Sequence, residues 1–168
     1  GDLGAYMIDA ARWLVGEITD VFADLVTLIE QRPVVSDLYD FTEIRRLHAE
    51  GALPPSPESA EVENDDECAL LIGFANGARG AIRASRVQRY NSIRIEGSSG
   101  SCKWDLATEE LLLRRIWESE FKPVSIPGDL VAKTMVSQFV ENIRDDTDFA
   151  PTFLDGLETQ KVIDAAIR

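Results

Sequence analysis

The chain has 168 residues, 45% hydrophobic and 28% charged, the balance of a globular fold long enough to bury a real core. Its 17 Lys and Arg face 30 Asp and Glu, a formal net charge of −13, which argues against a surface made for nucleic acid or anionic membrane. No apolar run approaches the ~20 residues of a membrane-spanning helix.

The chain opens on Gly1 inside a motif, which predicts a piece of a longer protein. From Gly4 it reads as an amphipathic helix. Ile8, Ala11, Leu14 and Val15 recur at helical spacing, and Gly16 stops the helix as a C-terminal glycine does. Asp2 lies just upstream, where a carboxylate caps the first free N–H groups. Asp2 and Tyr6 are four apart, so if helical geometry reaches back to Asp2 they share a face one turn apart. A carboxylate beside a phenol can be a proton-transfer pair. A cap and a half-buried packing residue is the plainer alternative, and spacing alone does not separate the two.

Ile18 to Gln31 changes period. Its β-branched and apolar residues are too continuous for a one-sided strand, which predicts a strand covered on both faces. Arg32-Pro33 ends it. Residues 34–64 are an irregular excursion with a short polar helix over Asp40 to Glu50, followed by the Pro54, Pro55 and Pro57 cluster. Such an excursion is either a functional loop or plain surface variability. His48 falls on this charged stretch, where a solvated histidine is expected.

Residues 67 to 86 carry the clearest strand signal. Ala69 to Ala75 is an apolar run, and Asn76-Gly77 suits a type I′ hairpin turn. Ala78, Gly80, Ile82 and Ala84 then face one way and Arg79, Ala81, Arg83 and Ser85 the other, the arginine side being a wet or intersubunit surface. A second hairpin runs from Ser92 to Glu96, through Gly97-Ser98-Ser99-Gly100, to Ser101–Asp105. This turn sits between strands and lacks a following Lys-Ser/Thr, so it is no phosphate loop. Leu111 to Trp117 and Lys122 to Ile126 make a third pair, with Trp104 and Trp117 expected to pack over the sheet. From Asp129 the period is helical again, with Val131, Met135, Phe139, Val140 and Ile143 in one stripe to about Asp146. Thr147 to Pro151 turns into a last helix, Thr152 to Arg168. There Thr152 and Asp155 form a capping box, and Leu157, Val162, Ile163 and Ala166 form the apolar face.

Adjacent strands joined by tight turns are antiparallel. The order therefore predicts a single α+β domain: an open, mainly antiparallel sheet of about six strands with helices packed on one face. Ile and Val on the other face predict a partner subunit there. Cys68 and Cys102 form no CxxC and no Cys/His cluster, so two buried free thiols in a cytoplasmic protein are expected. With His48 the sole histidine, the sequence offers neither a histidine metal site nor a Ser-His-Asp triad.

Residues 1–17, Gly-Asp-Leu-Gly-Ala-Tyr-Met-Ile-Asp-Ala-Ala-Arg-Trp-Leu-Val-Gly-Glu, resemble the segment that opens the C-terminal domain of the Gfo/Idh/MocA oxidoreductases, roughly G-D-x-G-S-H-x-I-D-x-A-x-x-L-x-G. The likeness continues through Arg32-Pro33, Asp65-Asp66 to Phe74-Ala-Asn-Gly-Ala78, Ile93 to Gly97 with Gly100, Phe153 to Leu157 and Gln160 to Ala165. It implies the C-terminal α+β fold of the glucose-fructose oxidoreductase-like and dihydrodipicolinate reductase-like type, with an open sheet that commonly forms an oligomer interface. It implies NAD- or NADP-dependent chemistry on a sugar, cyclitol or similar polyol, with the cofactor held mainly by a preceding dinucleotide-binding domain. The family's Glu-Lys-Pro motif and a glycine-rich dinucleotide fingerprint do not occur here, so these residues alone are expected to be inactive. By the resemblance Asp2 and Tyr6 are the catalytic and substrate-binding residues, and Phe153, in the turn from Phe149, lines the substrate.

Tyr6 stands where the family pattern has His. Histidine titrates near pH 6.5 and tyrosine near 10, so a tyrosine would need a neighbouring cation to carry a proton. Relatives resembling glucose-fructose oxidoreductase and dihydrodiol dehydrogenases carry Tyr at this position. The alternative is a non-catalytic sugar- or nucleotide-sensing protein on the same scaffold.

Overall fold

Helix α1 (Asp2–Val15) leads straight into strand β1 (Ile18–Val26), and the first unit of the fold grows around that pair. The computed structural model describes residues 2–34, 40–52, 58–88, 92–125 and 135–168. They form two compact units, one of Gly1–Gln88 with Lys161–Arg168 and one of Arg89–Gln160.

In the first unit β1 pairs antiparallel with β4 (Glu67–Phe74), which pairs antiparallel with β5 (Arg79–Ser85). The inner face of this sheet carries Leu70, Ile72 and Phe74 of β4 and Ile82 of β5. Ile8 of α1 and Val162 of α4 (Phe153–Ile167) close over them, with Met7, Ala11, Val15, Val21 and Ile163 packed around. Burying each large side chain of this kind contributes about 1.5–3 kcal/mol. Ile8, at 2% exposure, is the most deeply placed of these apolar residues. A smaller ladder joins β2 (Gln31–Pro33) to β3 (Ser59–Glu61), where Pro33 pairs at the end of an edge strand and needs no donor. Helix α2 (Phe41–Ala49) lies in the excursion, as its polar pattern predicts. Asp40 caps it, accepting the Thr42 N–H at 2.8 Å. His48 is exposed on it. The Pro54, Pro55 and Pro57 cluster lies outside the described residues.

Strand β1 departs from the expectation in length and cover. It ends at Val26, not Gln31, and Phe22 on its outer face is 69% exposed rather than covered. Two causes hid this. A register shift between Ile18 and Asp20 breaks the alternation, putting Ile18 and Val21 on the same face three residues apart. Beyond Val26, the chain leaves the ladder because Asp66 captures it. The Asp66 carboxylate is buried and accepts the N–H groups of Leu28 (3.1 Å) and Ile29 (2.8 Å) and the Arg32 guanidinium (2.5 Å).

The Asn76-Gly77 turn forms, but not as type I′. Gly77 has φ +88° and Asn76 is not among the positive-φ residues. Gly77 N–H donates to Phe74 O and Phe74 N–H to Ala78 O, the pattern of a three-residue hairpin loop with glycine in the left-handed position. Asn76 is there for its side chain, whose Nδ2 donates to Val15 O at 2.8 Å while Oδ1 accepts Ala78 N–H at 3.0 Å.

The second unit holds a four-stranded antiparallel ladder in the order β6 (Ser92–Gly97), β7 (Gly100–Asp105), β8 (Glu110–Arg115) and β9 (Lys122–Pro123), with the expected two-residue turn at Ser98-Ser99. A Cβ at Gly100, where φ is +156°, would run into the Arg114 carbonyl oxygen. Trp117 does not pack over the sheet: it lies beyond the end of β8, 74% exposed. Helix α3 (Met135–Asp145) carries the predicted stripe. Phe139, Val140 and Ile143 stand exposed, with Phe139 edge-on to Phe149 at 5.3 Å, while Val131 lies outside the described residues. The Thr152–Asp155 capping box forms: Thr152 N–H donates to Asp155 Oδ2 at 2.6 Å, and Leu154 N–H to Thr152 Oγ1 at 3.2 Å. Leu157 of the predicted α4 face is exposed, whereas Val162 is buried. The antiparallel α+β class holds, its strands divided among ladders of three, two and four.

The Asp66 carboxyl is held below its ordinary range, first by the Ile29 N–H, with the Arg32 guanidinium and the Leu28 N–H adding to it against the cost of burial. A depressed carboxyl pKa contributes stability above the unfolded value and loses it as pH falls towards the folded one. Asp66→Asn is therefore expected to lower Tm by several degrees at neutral pH. The gap between wild type and variant should close below about pH 4, read by thermal unfolding across a pH series.

Candidate functional site

Helix α1 is held at both its face and its end. Its inner stripe is fixed by Ile8 against β4 and β5. Its end is fixed by Gly16, with φ +134°, whose N–H donates to Arg12 O at 2.9 Å, and by the Asn76 amide on Val15 O. Arg12 is buried by packing along the helix, and its guanidinium grips the Glu17 carboxylate through Nε (3.1 Å) and Nη2 (2.9 Å), with Asp9 at 3.8 Å. A cation in the last turn also suits the helix dipole. Glu17 O in turn accepts the Ala75 N–H at 2.8 Å, so the helix end, the first strand and the β4–β5 turn are one hydrogen-bonded corner.

With its inner stripe fixed, the opposite face of α1 points outward. Tyr6 is 68% exposed and Trp13, seven residues on and so on the same face, is 83% exposed. Leu3 and Leu14 flank them, also exposed. The helix begins at Asp2, so helical geometry does extend that far. Asp2 is its first residue rather than a cap ahead of it, one helical turn before Tyr6, about 6 Å along the axis. The Tyr6 phenol has no hydrogen-bond partner among the described residues, so it is open to an incoming hydroxyl or carbonyl. Phe153 opens α4 in the second unit, its ring fully exposed.

Among the described residues no three His, Cys, Asp or Glu side chains gather as a metal site. Both cysteines are free. Cys68 is buried, which pushes its thiol pKa up, and Cys102 is half-buried. No helix among the described residues is long and apolar enough to cross a membrane. Sequence reasoning missed the Asp66 and Asn76 anchors. Its only hint of Asp66 was an acidic pair just before a strand.

The model of the GFO/IDH/MocA C-terminal domain matches residues 1–103. Over 105 residues the chain is 39% identical to levoglucosan dehydrogenase of Pseudarthrobacter phenanthrenivorans, a match covering 60% of this chain and 25% of that protein. It superposes on the apo form of levoglucosan dehydrogenase with a TM-score of 0.76 and 26% identity, over 99% of this chain and 47% of the other. A complex of levoglucosan dehydrogenase with NADH and L-sorbose matches with a TM-score of 0.73 and 26% identity, over 99% and 48%. The chain thus spans about a quarter of the curated relative and about half of the solved structures.

The geometry separates structural from surface roles on one helix. Ile8→Ala is expected to cost about 2–5 kcal/mol in denaturant unfolding, whereas Tyr6→Phe should stay within about 0.5 kcal/mol of wild type.

Proposed function

This chain belongs to the GFO/IDH/MocA family, as a C-terminal domain, and on that footing we propose that it is the substrate-binding and oligomerisation domain of an NAD(P)-dependent dehydrogenase acting on a sugar, cyclitol or similar polyol. The observation that carries the reading is Tyr6: an exposed phenol with no hydrogen-bond partner among the described residues, on a helix locked to its sheet, four residues after Asp2. The sugar chemistry of the relatives gives the substrate class, since levoglucosan dehydrogenase has been captured with NADH and L-sorbose.

Among the described residues every strand pairing is antiparallel, and no strand enters a helix through a glycine-rich turn. We assign the cofactor to a preceding dinucleotide-binding domain. NAD(P) supplies the hydride chemistry. This chain supplies the proton's path: Tyr6 takes the proton from a substrate hydroxyl, or returns it to a carbonyl oxygen, and Asp2 orients Tyr6 or a second substrate hydroxyl. On the second unit, the open ring of Phe153 offers a surface to a sugar ring, and a substrate contact is assigned to it on its own.

The oligomer uses the outer face of the β1–β4–β5 sheet. Phe22, Leu71 and Ala81 are paired neighbours across it and all are exposed. Asp20 and Asp24 on β1 flank this row on one side, and Arg79 and Arg83 on β5 on the other. The face is self-complementary: a two-fold axis near Leu71 sets the acidic strand of one copy against the basic strand of the other.

The tests are separable. In the parent protein Tyr6→Phe should lower kcat by about 10²–10⁴-fold; a change within about twofold removes Tyr6 as the proton carrier. The 168 residues alone should show no NAD-dependent turnover. Leu71→Asp should shift the chain to monomer in sedimentation velocity with its circular dichroism unchanged. The second reading is a sugar or nucleotide sensor, favoured by Tyr6 standing where the family pattern has His. It predicts a parent that binds sugar and cofactor without turnover.

A further inference from the structure

The second unit contains a cavity that the proposed dehydrogenase chemistry does not use. It measures about 490 Å³ and lies at the turn end of the β6–β9 sheet, within the size range of small-ligand sites. Register explains why it exists. Gly97, Gly100 and Arg115 are neighbours in one cross-strand row, and Ile95, Cys102 and Leu113 are neighbours in the next row on the same face. Two of the three positions in the end row carry no side chain, so a trough opens over an apolar floor. Ser98 and Ser99 line its turn end, and Arg115 and Trp117 its wall.

Six of the described arginines are already committed to carboxylates. Arg12, Arg32, Arg46, Arg83, Arg94 and Arg144 each pair with a carboxylate. Arg114 donates to Ser101 Oγ at 3.1 Å and lies over the Phe121 ring with Arg94, on the opposite face. Among the described residues Arg115 has no ion-pair partner for its guanidinium. Its guanidinium carbon is 5.8 Å from the centroid of the Trp117 ring. Glu118 is already held, accepting from Lys122 Nζ at 2.6 Å and from the Arg115 backbone N–H at 3.1 Å. Glu118 is the carboxylate near Arg115, but it is held by Lys122 and the Arg115 backbone, so the guanidinium beside the exposed indole keeps its hydrogen-bond donors for a ligand that brings a carboxylate of its own.

We propose that the trough between Gly97, Gly100, Arg115 and Trp117 binds a carboxylate-bearing monosaccharide, a sugar acid in its ring form. The indole offers a flat apolar face for a pyranose ring, the bare glycine row admits the ring edge-on, and the two serines offer hydroxyls to its hydroxyls. Arg115 takes the carboxylate in a two-pronged hydrogen bond. The site does not rest on the Tyr6 reading and stands or falls separately from it.

Titration of the full 168-residue chain with glucuronate, followed by amide NMR, tests it. The expected result is saturable shifts confined to residues 97–102 and 113–117. Glucose should bind about tenfold or more weakly, since it cannot engage the guanidinium. Arg115→Gln and Trp117→Ala alter exposed side chains, and at Gly97 an added Cβ meets nothing closer than Gly100 O at 3.9 Å, so Gly97→Leu fills the trough without crowding the backbone. Each should weaken glucuronate about tenfold or more while Tm holds. Absence of saturable shifts, equal binding of glucose, or binding that survives all three substitutions overturns the proposal. Self-association lost on Trp117→Ala, with no response to glucuronate, overturns it in favour of a second copy of the chain.

Discussion

Everything proposed for the first unit depends on the seating of one helix stripe. Ile8, with Met7, Ala11 and Val15 beside it, presses α1 onto the face of β4 and β5 built from Leu70, Ile72, Phe74 and Ile82. An α-helix turns about 100° per residue, so fixing one stripe fixes the opposite one. Tyr6 and Trp13 face outward because Ile8 faces inward. The corner formed by Asn76 on Val15 O and Arg12 on Glu17 then stops the helix from sliding or rolling. Tyr6 is thereby presented from a helix whose face and end are both fixed.

The same sheet has two different faces because β4 is paired on both sides. Its even-numbered residues from Leu70 to Phe74 build the core, while Leu71 looks out between Phe22 and Ala81. The charges are sorted as well: acids on β1, arginines on β5. In a chain of net charge −13, the placement of its few cations carries most of the information. Arg12 and Arg32 are structural, Arg79 and Arg83 border the outer sheet face, and Arg115 makes no close ion pair among the described residues. Composition predicted an acidic surface and could not rank these sites, because ranking depends on which side chains meet across strands.

Legibility followed the range of the interaction responsible. Ile8, Ala11 and Val15 of the α1 stripe, the alternation from Arg79 to Ala84, the Ser98-Ser99 hairpin and the Thr152–Asp155 box were readable, since each is set within a few residues of backbone geometry; Leu14, expected in the stripe, is 38% exposed, and Ser85, expected on the wet face, is buried where its Oγ accepts the Val87 and Gln88 N–H groups as the strand ends. The end of β1 was not, because Asp66 sets it from 38 residues away through the N–H of Leu28. Nor was the role of Asn76, whose residue type fits a positive-φ turn but whose amide is spent on the end of α1, 61 residues back. Phe22, Trp117 and the α3 stripe share a further cause. An apolar residue is scored as core by its chemistry, while its burial depends on what lies opposite.

By itself the sequence determined the antiparallel α+β class, the order of most elements, the pairing of Asp2 with Tyr6 at helical spacing and the family likeness that gives that pairing a meaning. Only the tertiary structure decided that the helix reaches back to Asp2, that Tyr6 points away from the core, that Phe22 and Leu71 on the outer sheet face are exposed, and that Arg115 and Trp117 wall a cavity. The division is physical. Local periodicity and turn chemistry are written in neighbouring residues, whereas exposure, anchoring and the shape of a site are made by residues that meet only after the chain has folded.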